Sequence, residues 1–172
     1  QISSFSKVDV QKRVRIRGTK NLQTALKCPN GVIMISAHLG NWEMAHLAVS
    51  CCADTSMLLV ARRIRPDILN EGLNNIRQRF GNSVIDKKRA LPKMARRLYE
   101  GKILGLLIDQ EPKHSRGTRV TFFGKPTTIT PGPGLLARRY GSLILPVFCV
   151  RETNGSLTLI IEQPIHPVKT DH

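Results

Sequence analysis

Four short runs of almost unbroken apolar residues, at 31–37, 57–61, 103–108 and 143–150, confine this chain to a small set of folds. A strand that is apolar on both sides has to be covered on both faces. Helical crossovers between parallel strands do this. The intervening segments read as those helices. Residues 42–51 follow Asn41, an N-cap type, and 66–80 place Ile68, Leu69, Leu73, Ile76 and Phe80 on one face before Gly81. Leu91, Met94, Ala95 and Leu98 mark another helix. Its outer face is basic (Lys87, Lys88, Arg89, Lys93, Arg96, Arg97), and it stops at Gly101. Pro131-Gly132-Pro133-Gly134 opens a short helix over 135–140, and 21–27 suits one more.

Residues 13–17 alternate basic and apolar and predict an edge strand ending at Gly18. Residues 83–85 and 157–161 complete the strands, with a turn at Asn154-Gly155, and a long polar loop is expected up to about Thr130. The pattern predicts an α/β domain with a mostly parallel central sheet flanked by helices on both faces. With 172 residues, the chain is one domain over 1–172. It starts at a glutamine rather than a methionine and stops soon after a strand. The reading therefore expects a piece of a longer chain, lacking an N-terminal membrane anchor and a C-terminal tail.

In an open α/β sheet, ligands bind just beyond the carboxyl ends of the strands. Two groups able to do chemistry fall there. His38 follows the run 31–37, and Asp109, with Gln110, follows 103–108. Glu43 comes five residues after His38, roughly 140° around a continuous helix. The two can meet only if His38 precedes the helix and Glu43 lies in its first turn, with Gly40 letting the backbone bend. A histidine held by a carboxylate can take a proton from a hydroxyl and so prepare the oxygen to attack an acyl carbon. The plain alternative is a solvated loop histidine and a Glu favoured by the helix's positive end. Asp109 reads equally as a substrate ligand, a support for the His38 loop or a simple loop cap. Phe122-Phe123 reads as the wall of an acyl-chain groove or as a loop folded on the core. Neither His46 nor His114 is given a role.

The charge narrows the partners. Lys and Arg number 27 against 12 Asp and Glu, a formal net charge of +15. A domain this basic meets nucleic acid, an anionic membrane surface or an acidic protein. Aromatic residues make up only 5% and do not alternate with the basic clusters, which argues against stacking on single strands. The four cysteines have no metal-ligand or disulfide-framework spacing and read as reduced thiols in a cytoplasmic setting. No metal and no cofactor is called for.

His38-Leu39-Gly40-Asn41-Trp42-Glu43 resembles the first motif of the glycerolipid and lysophospholipid acyltransferase superfamily, in the form typical of the bacterial lipid A late acyltransferases. The resemblance continues in order along the chain. Arg62 followed by Arg77-Gln78-Arg79-Phe80-Gly81 resembles the second block, and Asp109-Gln110 the third. Phe122-Phe123-Gly124-Lys125-Pro126, Gly132-Pro133-Gly134-Leu135-Leu136-Ala137 and Pro146 resemble the fourth. The second block departs from the family pattern. Arg62-Arg63-Ile64-Arg65-Pro66 is shifted and an asparagine is missing, so the arginine could be Arg62, Arg63 or Arg65.

The resemblance implies an O-acyltransferase with His38 as general base and Glu43 orienting it. Asn41, Arg62, Arg77, Asp109 and Gln110 would bind substrate. The acyl donor would be an acyl carrier protein thioester, or acyl-CoA, and the acceptor a hydroxyl of a lipid A-type glycolipid precursor. The setting would be the cytoplasmic face of the bacterial inner membrane, on an anionic surface, with no nucleic acid bound. Alternative acceptors are a phosphoinositide mannoside or a lysophospholipid. The rivals are a non-catalytic basic nucleic-acid-binding domain and a fragment that binds lipid without turnover.

Overall fold

The computed structural model describes residues 6–88, 90–112 and 117–168. Arg89 of the basic helix face and His114 lie outside these. The strands are β1 (Val14–Arg17), β2 (Val32–Ser36), β3 (Met57–Ala61), β4 (Ser83–Asp86), β5 (Ile103–Leu107), β6 (Thr118–Phe122), β7 (Lys125–Ile129), β8 (Leu143–Arg151) and β9 (Leu157–Ile161). The helices are α1 (Lys7–Arg13), α2 (Thr19–Leu26), α3 (Trp42–Ala53), α4 (Asp67–Arg77), α5 (Leu91–Tyr99) and α6 (Gly132–Tyr140), with a 3₁₀ turn at Arg79–Gly81.

Seven strands form one sheet in the order β1-β9-β8-β2-β5-β3-β4. Every pairing in it is parallel except the β8–β9 hairpin. The expected α/β class, with a mostly parallel sheet, is the fold observed.

Alternation along each central strand divides the core into two layers. Val32 and Met34 of β2, Met57 of β3, Ile103 of β5, and Leu145, Val147 and Cys149 of β8 pack with α3. Ile33, Leu58 and Leu104 point the other way, against Leu98 of α5 and Leu136 and Ala137 of α6. Each such fully buried Leu or Ile contributes about 2 kcal/mol of transfer free energy. Helix α3 is buried from Met44 to Cys51, so it lies across the middle of its layer. The basic-apolar run at 14–17 is the edge strand, pairing only with β9 through Val14↔Leu157 to Arg17↔Ile160.

The helix read over 66–80 stops at Arg77, with Phe80 at φ 58° in the turn that follows, and two further elements depart from the sequence reading. Helix α1 carries a full capping box from Ser6 and Asp9, and its Val10 is buried. The expected polar loop up to Thr130 contains a hairpin, β6–β7, running antiparallel from Thr118↔Ile129 to Phe122↔Lys125. Both of its strands are largely exposed, so they lack the one-sided apolar alternation by which a half-buried strand is recognised.

No helix among the described residues is long and apolar enough to cross a bilayer. All four cysteines are free, with Cys51 and Cys149 buried.

Candidate active site

The site is assembled by sheet register. β2 and β5 lie side by side and parallel, pairing Val32↔Ile103 through Ser36↔Leu107. The Ile108 amide extends the ladder by donating to the Ser36 carbonyl at 3.0 Å. Two residues further on each strand stand His38 and Asp109, still 71 positions apart like every pair in the ladder. Their meeting is thus a continuation of the sheet, at its carboxyl edge.

Asp109 holds His38 at two points. Oδ2 accepts the His38 backbone N–H at 2.9 Å, and Oδ1 lies 2.9 Å from Nδ1 of the ring. Both side chains are about one-third open, at 36%. Partial burial alone would raise the Asp109 carboxyl, but the hydrogen bonds from the His38 amide and ring outweigh it and hold the carboxyl below its ordinary range. An ionised carboxylate facing Nδ1 keeps the proton on that nitrogen. In that tautomer the lone pair lies on Nε2.

The loop from β2 to α3 is pinned on its other side by β8. The Asn41 amide donates to the Cys149 carbonyl at 2.7 Å, and Gly40 forms a parallel bridge with Cys149. Gly40 adopts φ +62°, and a Cβ there would come within 2.3 Å of the Cys149 oxygen. Only glycine fits. Asn41 then caps α3, its side chain accepting from the Met44 amide at 3.1 Å.

The carboxylate hydrogen-bonded to the imidazole is that of Asp109, for which support of the His38 loop was one reading, and not that of Glu43, which was expected to orient the ring. Glu43 instead lies against Arg77, whose Nε is 3.1 Å from both of its carboxylate oxygens and whose Nη2 also donates to Oε1. The pair is well shielded, with the Arg77 side chain 11% and the Glu43 side chain 19% exposed. Arg77 also stacks over the Trp42 ring, 5.4 Å from its centroid, and Trp42 meets the His38 ring edge-on at 5.1 Å. Glu43, Arg77, Trp42 and His38 thus form a continuous run of contacts. Sequence reasoning missed Trp42 as the residue between Arg77 and His38. Its only signal was its position inside the motif, one residue before Glu43.

Beneath the cluster lies His46, one turn below Trp42 and 4% exposed. Burial lowers its pKa to about 4. A hydrogen bond to the Trp42 backbone works against that shift, and the Arg77 charge adds to it.

The remaining candidates are spread along the same edge. Arg62 is exposed just past β3, and its charge helps lower the Asp86 carboxyl, after a hydrogen bond from the Lys88 amide as the main cause. Arg63 pairs with Asp67 at 2.8 Å, and a cleft of about 590 Å³ is lined by Arg63, Arg65, Pro66 and Asp67. Gln110 is exposed beside Asp109. No group of three or more His, Cys, Asp or Glu among the described residues could hold a metal ion.

The chain is similar to known acyltransferases. Phosphatidylinositol mannoside acyltransferase of Mycobacterium tuberculosis (strain ATCC 25618 / H37Rv) is 28% identical over 144 residues, 81% of this chain and 45% of that protein. The protein of the same description from Mycolicibacterium smegmatis (strain ATCC 700084 / mc(2)155) is 29% identical over 141 residues, 78% of this chain and 45% of that protein. The chain thus spans about half the length of the curated relatives it matches. Over its whole length, residues 1–172, it matches the bacterial lipid A biosynthesis acyltransferase family, and it belongs to that family.

Proposed function

We propose that this domain moves a fatty acyl group from a thioester to a hydroxyl of a membrane glycolipid, with His38 as general base and Asp109 as its partner. The observation that carries the reading is the doubly anchored His38–Asp109 pair at the carboxyl edge of the sheet. Nε2 takes the proton of the acceptor hydroxyl while the oxygen attacks the thioester carbonyl. Asp109 compensates the imidazolium that forms. The tetrahedral oxyanion collapses, the C–S bond breaks, and the departing thiolate takes the proton back from Nε2. An ester and a free thiol result.

Donors for the oxyanion are the first-turn amides of α3, Trp42 and Glu43, together with an arginine past β3 (Arg62, Arg63 or Arg65). The Glu43–Arg77 pair and Trp42 fix the imidazole's position. Asn41 serves by holding the start of α3.

An acyl carrier protein suits the donor role because it is acidic and the chain carries +15. Acyl-CoA is the alternative. The family's description favours a lipid A precursor as acceptor, and the setting we propose for it is the cytoplasmic face of the inner membrane. The mycobacterial relatives favour a second reading, a phosphatidylinositol mannoside.

The test is transfer of radiolabelled acyl chains from both donors to both acceptors by the full-length protein, beside His38→Ala. Transfer that disappears in the variant supports the reading and names donor and acceptor. A folded full-length protein that transfers nothing, or transfers regardless of His38, refutes it.

A further inference from the structure

The β6–β7 hairpin leaves the sheet after Asp109 and returns at the start of α6, so both of its roots lie on the active-site edge. Phe122 pairs with Lys125, which leaves Phe123-Gly124 as a two-residue turn with φ of +48° and +73°. Such turns favour Asn-Gly, and a bulky residue in the left-handed region is strained. Folding therefore gives no reason for a phenylalanine there. Phe122 and Phe123 are nonetheless 64% and 89% exposed, their rings in edge contact at 4.5 Å.

The arm spans residues 117–130, includes Arg119 and Lys125, and contains no acidic residue. Five-residue strands give it a reach of about 17 Å. The same edge exposes other large apolar side chains: Leu39 and Ile64 just past β2 and β3, and Leu91 and Leu135 at the starts of α5 and α6. Around them stand exposed Arg62, Arg63, Arg65, Lys87 and Lys88, which with Arg119 and Lys125 of the arm outnumber the exposed Asp67, Asp86, Asp109 and Glu111 of the same edge. Aromatic tips set among cations match a bilayer interface of opposite charge. A second copy of a +15 chain would be repelled from this face.

We propose that the Phe122–Phe123 tip inserts into an anionic bilayer and seats the domain with its sheet's carboxyl edge, and therefore His38, against the lipid headgroups. This rests on the proposed function for its purpose, since the acceptor would then be met in the membrane plane, but its test does not require turnover.

Full-length Phe123→Trp and Tyr99→Trp proteins are compared with wild type, whose Trp42 gives a common background, on vesicles with brominated acyl chains. Tyr99 is 86% exposed and sits at the end of α5, on the opposite edge of the sheet. The added tryptophan at 123 should shift to the blue and be quenched on phosphatidylglycerol-containing vesicles, more weakly on phosphatidylcholine alone, while that at 99 should not. Equal quenching at both sites, or none at 123, overturns the orientation. Equal quenching at 123 on neutral vesicles overturns the anionic surface. An unquenched tip shielded on adding an acidic carrier protein overturns the bilayer in favour of that protein.

As a second readout, Phe122→Ser/Phe123→Ser should lower transfer to vesicle-borne acceptor about tenfold or more while sparing detergent-dispersed acceptor. Equal loss in both formats would place the phenylalanines against the acyl chain and overturn the wedge. Quenching at 123 in a wild-type background that transfers nothing would refute the acyltransferase reading and leave the wedge standing.

Discussion

Replacing Asp109 by asparagine changes one atom and separates the two tasks of this side chain. The carboxylate serves the His38 amide and the ring Nδ1 together, each at 2.9 Å. Asparagine has one acceptor and one donor. If its oxygen keeps the backbone N–H, its amide group faces Nδ1 and the ring proton must move to Nε2. The base is then blocked at the atom that has to accept the hydroxyl proton. If the amide flips, the loop loses its anchor, at about 1–3 kcal/mol. General-base catalysis is worth about 10²- to 10⁴-fold, and enforcing the wrong tautomer in serine hydrolases removes about 10⁴-fold. Asp109→Asn should therefore lower the transfer rate about 10³-fold, with a thermal midpoint close to wild type. Initial rates of full-length proteins across pH 6–9, with circular dichroism as the folding control, measure this. Retention of more than about a tenth of the wild-type rate would refute the assignment. So would a Glu43→Gln protein that stays folded yet falls as far as His38→Ala, for Glu43 would then be the working carboxylate.

Other outcomes follow from the same geometry. Gly40→Ala should destabilise the domain by about 1–3 kcal/mol in urea unfolding, because the new Cβ meets the Cys149 carbonyl in a backbone conformation foreign to alanine. Asn41→Ala removes the α3 cap and should lower stability by about 1 kcal/mol while reducing the transfer rate through misplacement of the His38 loop. His46 supplies a pH signature. Burial holds it neutral in the folded protein down to about pH 4, whereas the unfolded chain takes up the proton near the ordinary 6.5. The unfolded state thus binds more protons between those values, and stability falls as pH drops through that window. The loss between pH 7 and 5 should be about 2 kcal/mol, and His46→Leu should remove it. A urea midpoint equally pH-dependent in both proteins would refute this.

The central strands could be read from the sequence because they are buried on both sides, which leaves 31–37, 57–61, 103–108 and 143–150 as apolar runs whatever the tertiary detail. The N-cap at Asn41 was legible for a local reason, the preference of a short amide side chain for an orphan helix amide. Asp109 was legible as a strand-end residue, with support of the His38 loop as one reading among three. That it faces His38 depends on β5 lying next to β2, although β3 and β4 come between them in the chain, and this order is a tertiary outcome. Arg77 shows the limit more sharply. Its approach to Glu43 is set by the packing of Ile76 and Phe80 against the α3 layer, which helical periodicity does not encode. The hairpin escaped notice because neither of its faces is covered.

The constant offset between β2 and β5 also bears on how such a domain can change over generations. Insertions or deletions within α3, α4, α5 or their connections leave the ladder in step, so His38 and Asp109 still arrive together. Removing one residue at 37 or 108 would put every downstream position out of phase and turn one partner away, although no side chain of the site had been altered. Lengths are therefore free to drift between the two junctions and fixed within them. Two short spacers, each between a strand's last rung and its reactive group, are where descent should be most conservative about length.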